Sequence, residues 1–333
     1  MSSTTPTPAP THSSESAAGR AGVVLGTMNF GARTPARDAE RLVALALERG
    51  VTRVDTANLY AGGEAERILG RTLASVAGAR DRVHLASKVG AQPTGGAGRG
   101  AEGLSHARVL AAVDESLTRL RTERIDLLYL HVPDPAVPIA ETLSAIAHLL
   151  ERGKILAWGA SNYAAWQLVE LFAAAEAAGI PPPARAQQLY NALVRQLDVE
   201  YLPFAARYGL ATEVYNPLAG GLLTDRHADV TADRRGSRFW KNSRYERRYW
   251  SAPLFARRAE LAALAESLGV SLVTLAYRFL LARGVAGVVV GPATAAHLDA
   301  ALDALTAPLD PPAMAAIDKL HTAWIGTDAC YAR

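Results

Sequence analysis

Short, mostly apolar runs alternate along the chain with longer segments whose apolar residues recur every three or four positions. The runs Val23–Leu25, Arg53–Asp55, Val83–Ser87, Ile125–Leu130, Ile155–Gly159, Ala186–Tyr190, Ala211–Tyr215 and Gly287–Val290 predict strands. Between them, Arg37–Arg49, Glu64–Ser75, His106–Leu120, Ile139–Glu151, Ala164–Ala178, Val199–Tyr208 and Ala256–Arg283 predict helices, the last long enough for two. Ala295–Leu305 and Pro312–Ala323 predict two more after the final strand. Gly50, Gly153 and Gly209 each follow the last periodic residue of a helix, where a left-handed C-terminal cap favours glycine.

Repeated strand–helix units require parallel strands joined by helical crossovers. About eight units without a change in composition predict a single (β/α)8 TIM barrel. An open doubly wound sheet is the alternative, and it would place a Gly-x-Gly-x-x-Gly turn after the first strand. Gly26-Thr27-Met28-Asn29-Phe30-Gly31 stands there without the middle glycine.

Composition narrows the class. Of 333 residues 50% are hydrophobic and 20% charged, as in globular proteins. The Ser-, Thr-, Pro- and Ala-rich stretch 1–20 is expected to be a disordered tail, with the barrel domain over 21–333. That tail lacks the basic start and apolar run of a signal peptide, and Arg20 is its one arginine or lysine, which disfavours a transit peptide. The lone Cys330 excludes an internal disulfide framework and fits a reducing compartment, so a cytoplasmic location is expected. No apolar run reaches membrane-spanning length, and no metal is expected because no four ligands fall at zinc-site spacing. A net charge of +3 permits an anionic ligand without calling for nucleic acid.

Two loops stand out. Gln92–Gly103 is glycine-rich, but no Gly-Lys-Ser/Thr follows it, so a flexible connection is the better reading than a phosphate cradle. Leu222–Pro253, a long basic loop after the seventh strand, interleaves arginines with Phe239, Trp240, Tyr245, Tyr249 and Trp250. Such a loop suits a lid over a phosphorylated cofactor, single-stranded nucleic acid, or plain solvation. The lid comes first, because the bias is confined to one loop and the net charge is low.

In an α/β barrel the reactive face lies at the C-terminal ends of the strands. Asp55 ends the second predicted strand, Tyr60 follows on its loop, Lys88 ends the third and His131 the fourth. Together they suit general acid catalysis at a carbonyl. A Lys88 cation would lower the Tyr60 pKa, Asp55 would hold Lys88, and His131 would steer the carbonyl that Tyr60 protonates. Taken singly, each has a structural explanation: an ion pair, a satisfied histidine, a surface aromatic. Their joint placement favours catalysis.

Several segments resemble signatures of the aldo-keto reductase family. They are Gly26-Thr27-Met28, Asp55-Thr56-Ala57-Asn58-Leu59-Tyr60, Ser87-Lys88, Leu130-His131, Gly159-Ala160-Ser161-Asn162, Gln187-Gln188-Leu189-Tyr190-Asn191 and Tyr215–Leu223. Within the family the chain most resembles the aflatoxin-aldehyde and succinic-semialdehyde reductase branch. This rests on His131-Val132-Pro133-Asp134, Ser161–Trp166, Tyr190-Asn191-Ala192, Gly236–Trp240, Arg247–Trp250 and the closing Cys330-Tyr331-Ala332-Arg333.

The resemblance implies a catalytic tetrad of Asp55, Tyr60, Lys88 and His131 and reduction of an aldehyde or ketone with NADPH, NADH remaining open. It implies that Ser161, Asn162 and Gln188 bind the nicotinamide carboxamide and that Tyr215 stacks on the ring. Met28, Leu218, Gly220, Leu222 and Gly291 fall in its cofactor-binding segments. Near the expected 2′-phosphate site Thr294 and His297 are the cofactor-binding candidates, Thr294 keeping a hydroxyl near a helix N-terminus; Ala293, His297 and Ala301 depart from the family's pattern, and Arg238 on the basic loop would offset that. Phe30, Tyr163, Trp240 and Arg333 are the candidate substrate contacts. The rivals are a reductase of a sugar or natural-product carbonyl, and a cofactor-binding regulatory subunit of a membrane channel. The resemblance leaves a homodimer open.

Overall fold

The structure is a computed structural model that describes residues 22–91, 103–327 and 329. Eight strands carry the fold: β1 (Val23–Gly26), β2 (Arg53–Asp55), β3 (His84–Val89), β4 (Ile125–Leu130), β5 (Ile155–Ser161), β6 (Arg185–Leu189), β7 (Ala211–Tyr215) and β8 (Gly287–Val290). All neighbours pair in parallel, and β8 pairs back onto β1 to close the barrel, as the eightfold alternation predicts. The open-sheet alternative is thereby excluded.

Twelve helices are interspersed among the described residues: α1 (Ala36–Glu48), α2 (Glu64–Ser75), α3 (Ala79–Arg82), α4 (His106–Leu120), α5 (Ile139–Glu151), α6 (Ala165–Ala177), α7 (Tyr201–Tyr208), α8 (Ser243–Tyr249), α9 (Ala252–Ser267), α10 (Leu272–Ala282), α11 (Ala295–Ala304) and α12 (Pro311–Ile325). Gly50, Gly153 and Gly209 follow their helices at φ of 79°, 65° and 63°, the left-handed stops expected of them. None of the helices in the described residues is by itself long and apolar enough to cross a membrane. The same residues hold no group of three or more His, Cys, Asp or Glu suited to a metal.

The strands read as continuous apolar runs because both faces are covered. Along β3, Leu85 and Val89 face the helices and join the large core between barrel and helix ring. Ala86, with Leu127 and Tyr129 of β4, forms a separate small cluster, packed by Ala157, that fills the interior. Gly159 of β5 makes room for this ring: a Cβ there would stand 2.9 Å from Tyr129 Cε1. The rest of the interior is polar, and that polarity becomes the site.

Several boundaries depart from the sequence reading, and three of these bear on the site. β3 runs on to Val89, so Lys88 lies inside the strand, and β5 runs on to Ser161. The stretch expected to be a loop after β7 contains α8, whose buried face is Tyr245 and Tyr249. The 1–20 tail and most of Gln92–Gly103 lie outside the described residues.

Candidate active site

Asp55 is the last residue of β2, and Lys88 the last but one of β3. In the parallel register Asp55 pairs with Ala86, so both side chains enter the barrel near one level. The Lys88 ammonium donates to Asp55 Oδ1 at 2.6 Å, to Oδ2 at 2.5 Å and to the Thr56 carbonyl at 2.9 Å. The ammonium is thereby held between the Asp55 carboxylate and the Thr56 carbonyl. Lys88 is 1% and Asp55 2% exposed, so the pair is out of water.

Tyr60 opens a tight turn before α2. Ala61, Gly62 and Gly63 follow it at φ of 50°, 63° and 88°, three successive left-handed residues. Glycine suits two of these positions, and Gly63 has a second reason: a Cβ there would lie 2.8 Å from Arg119 Cδ. Arg119 is fixed by a 2.6 Å bond to the fully buried Glu66, which also accepts from Ser87 at 2.7 Å. The turn that presents Tyr60 is thus braced against the strand that carries Lys88.

The Lys88 ammonium lies 5.2 Å from the Tyr60 ring centroid, and the His131 ring stands edge-on to Tyr60 at 6.1 Å. Burial pulls Lys88 down, but the Asp55 carboxylate and the Tyr60 phenol together hold it above its ordinary value, so it stays charged. For Tyr60 the sequence expectation needs correction. Burial holds the phenol above its ordinary value, and the downward pull of Lys88 only partly offsets it. Tyr60 is therefore a protonated phenol at neutral pH. Burial and the cations Lys88 and Arg244 push His131 down to about 3, which leaves a neutral imidazole whose Nδ1 has no protein partner.

On the far side of the mouth, Asn162 donates to the His131 carbonyl at 2.9 Å and to Ser161 Oγ at 3.0 Å. Its Oδ1 accepts from the Tyr215 hydroxyl at 2.6 Å. Gln188 donates to the Tyr163 carbonyl at 2.7 Å. Asn162, Ser161, Gln188 and Tyr215 therefore meet beside His131, as the sequence places them.

The long loop closes over the β1 end of this mouth. Arg238 bonds Asn29, the Tyr245 hydroxyl at 3.0 Å and Met28 Sδ at 3.5 Å, while Asn29 reaches the Gly291 carbonyl at 3.4 Å. Met28, Arg238 and Gly291 thus come together. Gly220, at φ 71°, lies under this loop, and a Cβ on it would meet Tyr245 at 2.8 Å. Thr294 caps α11 by accepting from the His297 backbone at 3.2 Å, and both are exposed.

Other candidates fall elsewhere. Phe30 and Leu222 are fully buried in the core between barrel and helices, so Phe30 backs the β1 loop instead of walling a pocket. Tyr163 is 7% exposed, its hydroxyl 3.4 Å from the Val132 carbonyl, and Leu218 packs partly buried on the core. Trp240 is 43% exposed, with Lys241 over its ring. Arg333 lies outside the described residues.

Four groups escaped the sequence reading. Asn216, just past β7, is left-handed at φ 59°, and its buried Nδ2 has no protein partner. Arg33 bonds the Ser237 carbonyl and is lowered by burial and by repulsion from Arg238 and Arg226 of the long loop. Arg244 and Arg248 of α8 act electrostatically on Tyr215, and Arg244 on His131. For Arg244 and Arg248 the signal was the arginine density of the loop, which did not say which members turn inward; Asn216 and Arg33 lie outside it.

Residues 22–322 match the aldo/keto reductase family. Aflatoxin B1 aldehyde reductase member 2 of Rattus norvegicus is 39% identical over 236 residues, 69% of this chain and 62% of that protein. The Homo sapiens protein of the same name is 35% identical over 321 residues, 92% of this chain and 87% of its own length. A probable voltage-gated potassium channel subunit beta of Arabidopsis thaliana is 30% identical over 271 residues, 78% of this chain and 80% of that one.

Proposed function

Because the chain belongs to the aldo/keto reductase family, and so is an oxidoreductase acting on carbonyl groups, we propose that it reduces an aldehyde or ketone to the alcohol with NADPH, Tyr60 serving as general acid. The observation that carries this reading is the buried Asp55–Lys88 pair beneath Tyr60, with neutral His131 at its side. Structural ion pairs do not need a phenol and an unpartnered imidazole facing them.

The residues at the mouth fit the cofactor. Asn216 Nδ2 is a buried donor without a protein partner, and Arg238 and Arg226 of the long loop both lie near enough to Arg33 to lower it. Guanidinium groups suit the phosphates of a dinucleotide, and Arg238 is our choice for the 2′-phosphate. Asn162, Ser161, Gln188 and Tyr215 would hold the nicotinamide end. When bound, NADPH supplies the hydride.

The protein's own part is the proton. His131, neutral and beside Tyr60, orients the carbonyl by donating a hydrogen bond to its oxygen. Tyr60 gives its phenolic proton to that oxygen as negative charge develops there. Lys88 stabilises the phenolate that remains, and Asp55 keeps Lys88 charged and in place. Arg244 and Arg248 make the mouth positive, which favours aldehydes bearing a carboxylate.

An aldehyde panel that includes carboxylated members, followed by loss of NADPH absorbance, tests the reading. Turnover of aldehydes, fastest with the anionic ones, is expected. Tight NADPH binding without turnover of any member would overturn it in favour of a regulatory subunit, the role that the Arabidopsis relative's name carries.

A further inference from the structure

Beneath the tetrad lies a set of buried polar groups that the reaction as described does not use. Gln187 of β6 donates from Nε2 to Asp55 Oδ1 at 2.9 Å and to Glu213 Oε2 at 3.3 Å. Glu213 of β7 is 2% exposed, and its other oxygen pairs with Arg53 Nη2. Arg53, which begins β2, also donates from Nη1 to the Ala286 carbonyl at 3.1 Å. Gly287 leaves the space: a Cβ there would stand 3.0 Å from Arg53 Nη1 and 3.2 Å from Glu213 Cγ. Lys88, Asp55, Gln187, Glu213 and Arg53 therefore form one unbroken chain through the interior, from the catalytic mouth to the other end of β2.

Stability is a poor reason for this chain. The interior of such barrels is ordinarily filled by branched apolar side chains, and a buried ion pair is often matched or bettered by them. The chain has a different property: its two anions and two cations sum to zero, with one amide between the pairs. Both Gln187 contacts are donated N–H groups to carboxylates, so its orientation is fixed from both sides. The Glu213 charge reaches Asp55 and Tyr129. The charged and titratable groups facing this column are Arg53 and Asp55 from β2, Tyr60 from its turn, Lys88 from β3, Tyr129 and His131 from β4 and its end, Arg185 from β6 and Glu213 from β7.

We propose that Arg53 and Glu213 are positioning residues for carbonyl reduction, acting through Gln187 on the Asp55–Lys88 pair to set the field in which Tyr60 exchanges its proton. This rests on Tyr60 as the acid. Removing the Glu213 charge leaves the interior more positive, which favours the phenolate and loosens the proton on Lys88. Removing the Arg53 charge does the reverse.

The test compares Glu213→Gln, Arg53→Met and the double variant. Alcohol oxidation with NADP+ at fixed alkaline pH needs the phenolate. It should rise at least threefold in Glu213→Gln, fall at least threefold in Arg53→Met, and return toward the parent in the double variant. Aldehyde reduction at that pH should move oppositely. A second readout needs no turnover. The chain has four lysines, Lys88, Lys154, Lys241 and Lys319, so 13Cε-lysine NMR resolves Lys88 in an alkaline titration. Lys88 should lose its proton at lower pH in Glu213→Gln than in Arg53→Met. Rate changes of one sign in both single variants, or the same Lys88 behaviour in all, would overturn the proposal. Should Arg53→Met fail to fold, Glu213→Gln and the charge-neutral double variant decide by the same two readouts. A parent that turns over no aldehyde defeats the functional reading, while the Lys88 titration still decides this one.

Discussion

The Tyr215 hydroxyl donates to Asn162 Oδ1 at 2.6 Å, so the aromatic ring at the end of β7 and the amide at the end of β5 hold each other across the mouth. Asn162 sits at φ 65° and also anchors the His131 carbonyl. The bond thus ties Tyr215 and Asn162, the proposed nicotinamide contacts, to the loop that carries His131.

Tyr215→Phe removes that bond and keeps the ring. A neutral hydrogen bond contributes about 0.5–1.5 kcal/mol net, so NADPH affinity should change by no more than about tenfold. Tyr215→Ala also removes the stacking face and should weaken binding further, by roughly another tenfold. Fluorescence titration with NADPH measures both. Equal losses in the two variants would assign the role to the hydroxyl instead of the ring.

Tyr60→Phe keeps the shape of the pocket and deletes the proton donor. General acid catalysis contributes about 10²–10⁴-fold, and the loss should fall on kcat with NADPH affinity unchanged. Lys88→Met should also lower kcat, and the two losses should be less than additive because both act on one proton transfer. Steady-state kinetics on the two single variants and the double variant checks this. Parental turnover in Tyr60→Phe would remove Tyr60 from the mechanism.

The pH dependence follows from two opposite shifts. Tyr60 is held above its ordinary value, so its acid form persists through neutral pH, and reduction should decline only on the alkaline side. His131 is pushed down to about 3, so no step near pH 6.5 should appear in the rate.

The same shift carries a stability cost in acid. In the unfolded chain His131 takes a proton below about pH 6.5, but in the folded protein it stays neutral until about pH 3. Stability is therefore lost as pH falls through that window, at roughly 1 kcal/mol per unit from this residue. His131→Phe should lose less stability than the parent between pH 6 and pH 4, measured by urea unfolding.

Arg238→Ala tests the cofactor preference. Charge-assisted bonds contribute about 1.5–3 kcal/mol, so NADPH affinity should fall about tenfold or more while NADH affinity stays near the parent's. Equal losses for both cofactors would make Arg238 a clasp for the lid and nothing else.

Much of the site was legible because strand ends are legible. Asp55, His131 and Tyr215 each close or follow an apolar run, and the barrel's geometry does the rest. The chain beneath them was not. Arg53, Gln187 and Glu213 lie inside predicted strands, where a polar residue reads as an exposed position unless the closing of the barrel is known. The sign of the Tyr60 shift was misjudged for a related reason: sequence shows Lys88 as a neighbour but not how fully the site is withdrawn from water. Helix α8 was hidden because its two buried tyrosines are surrounded by arginines, which blurs the helical period.

The clasp of Arg238 on Met28 and Asn29, with Asn29 reaching Gly291, also bears on how the molecule assembles. It lies at the seam where β1 meets β8, the one strand pairing that joins the two ends of the barrel's chain. The contacts of position 29 with 238 and 291 span 209 and 262 residues, among the wide separations of the fold, so they carry a large loop-closure cost and form late. A refolding chain should gain its helical signal well before it gains the power to bind NADPH.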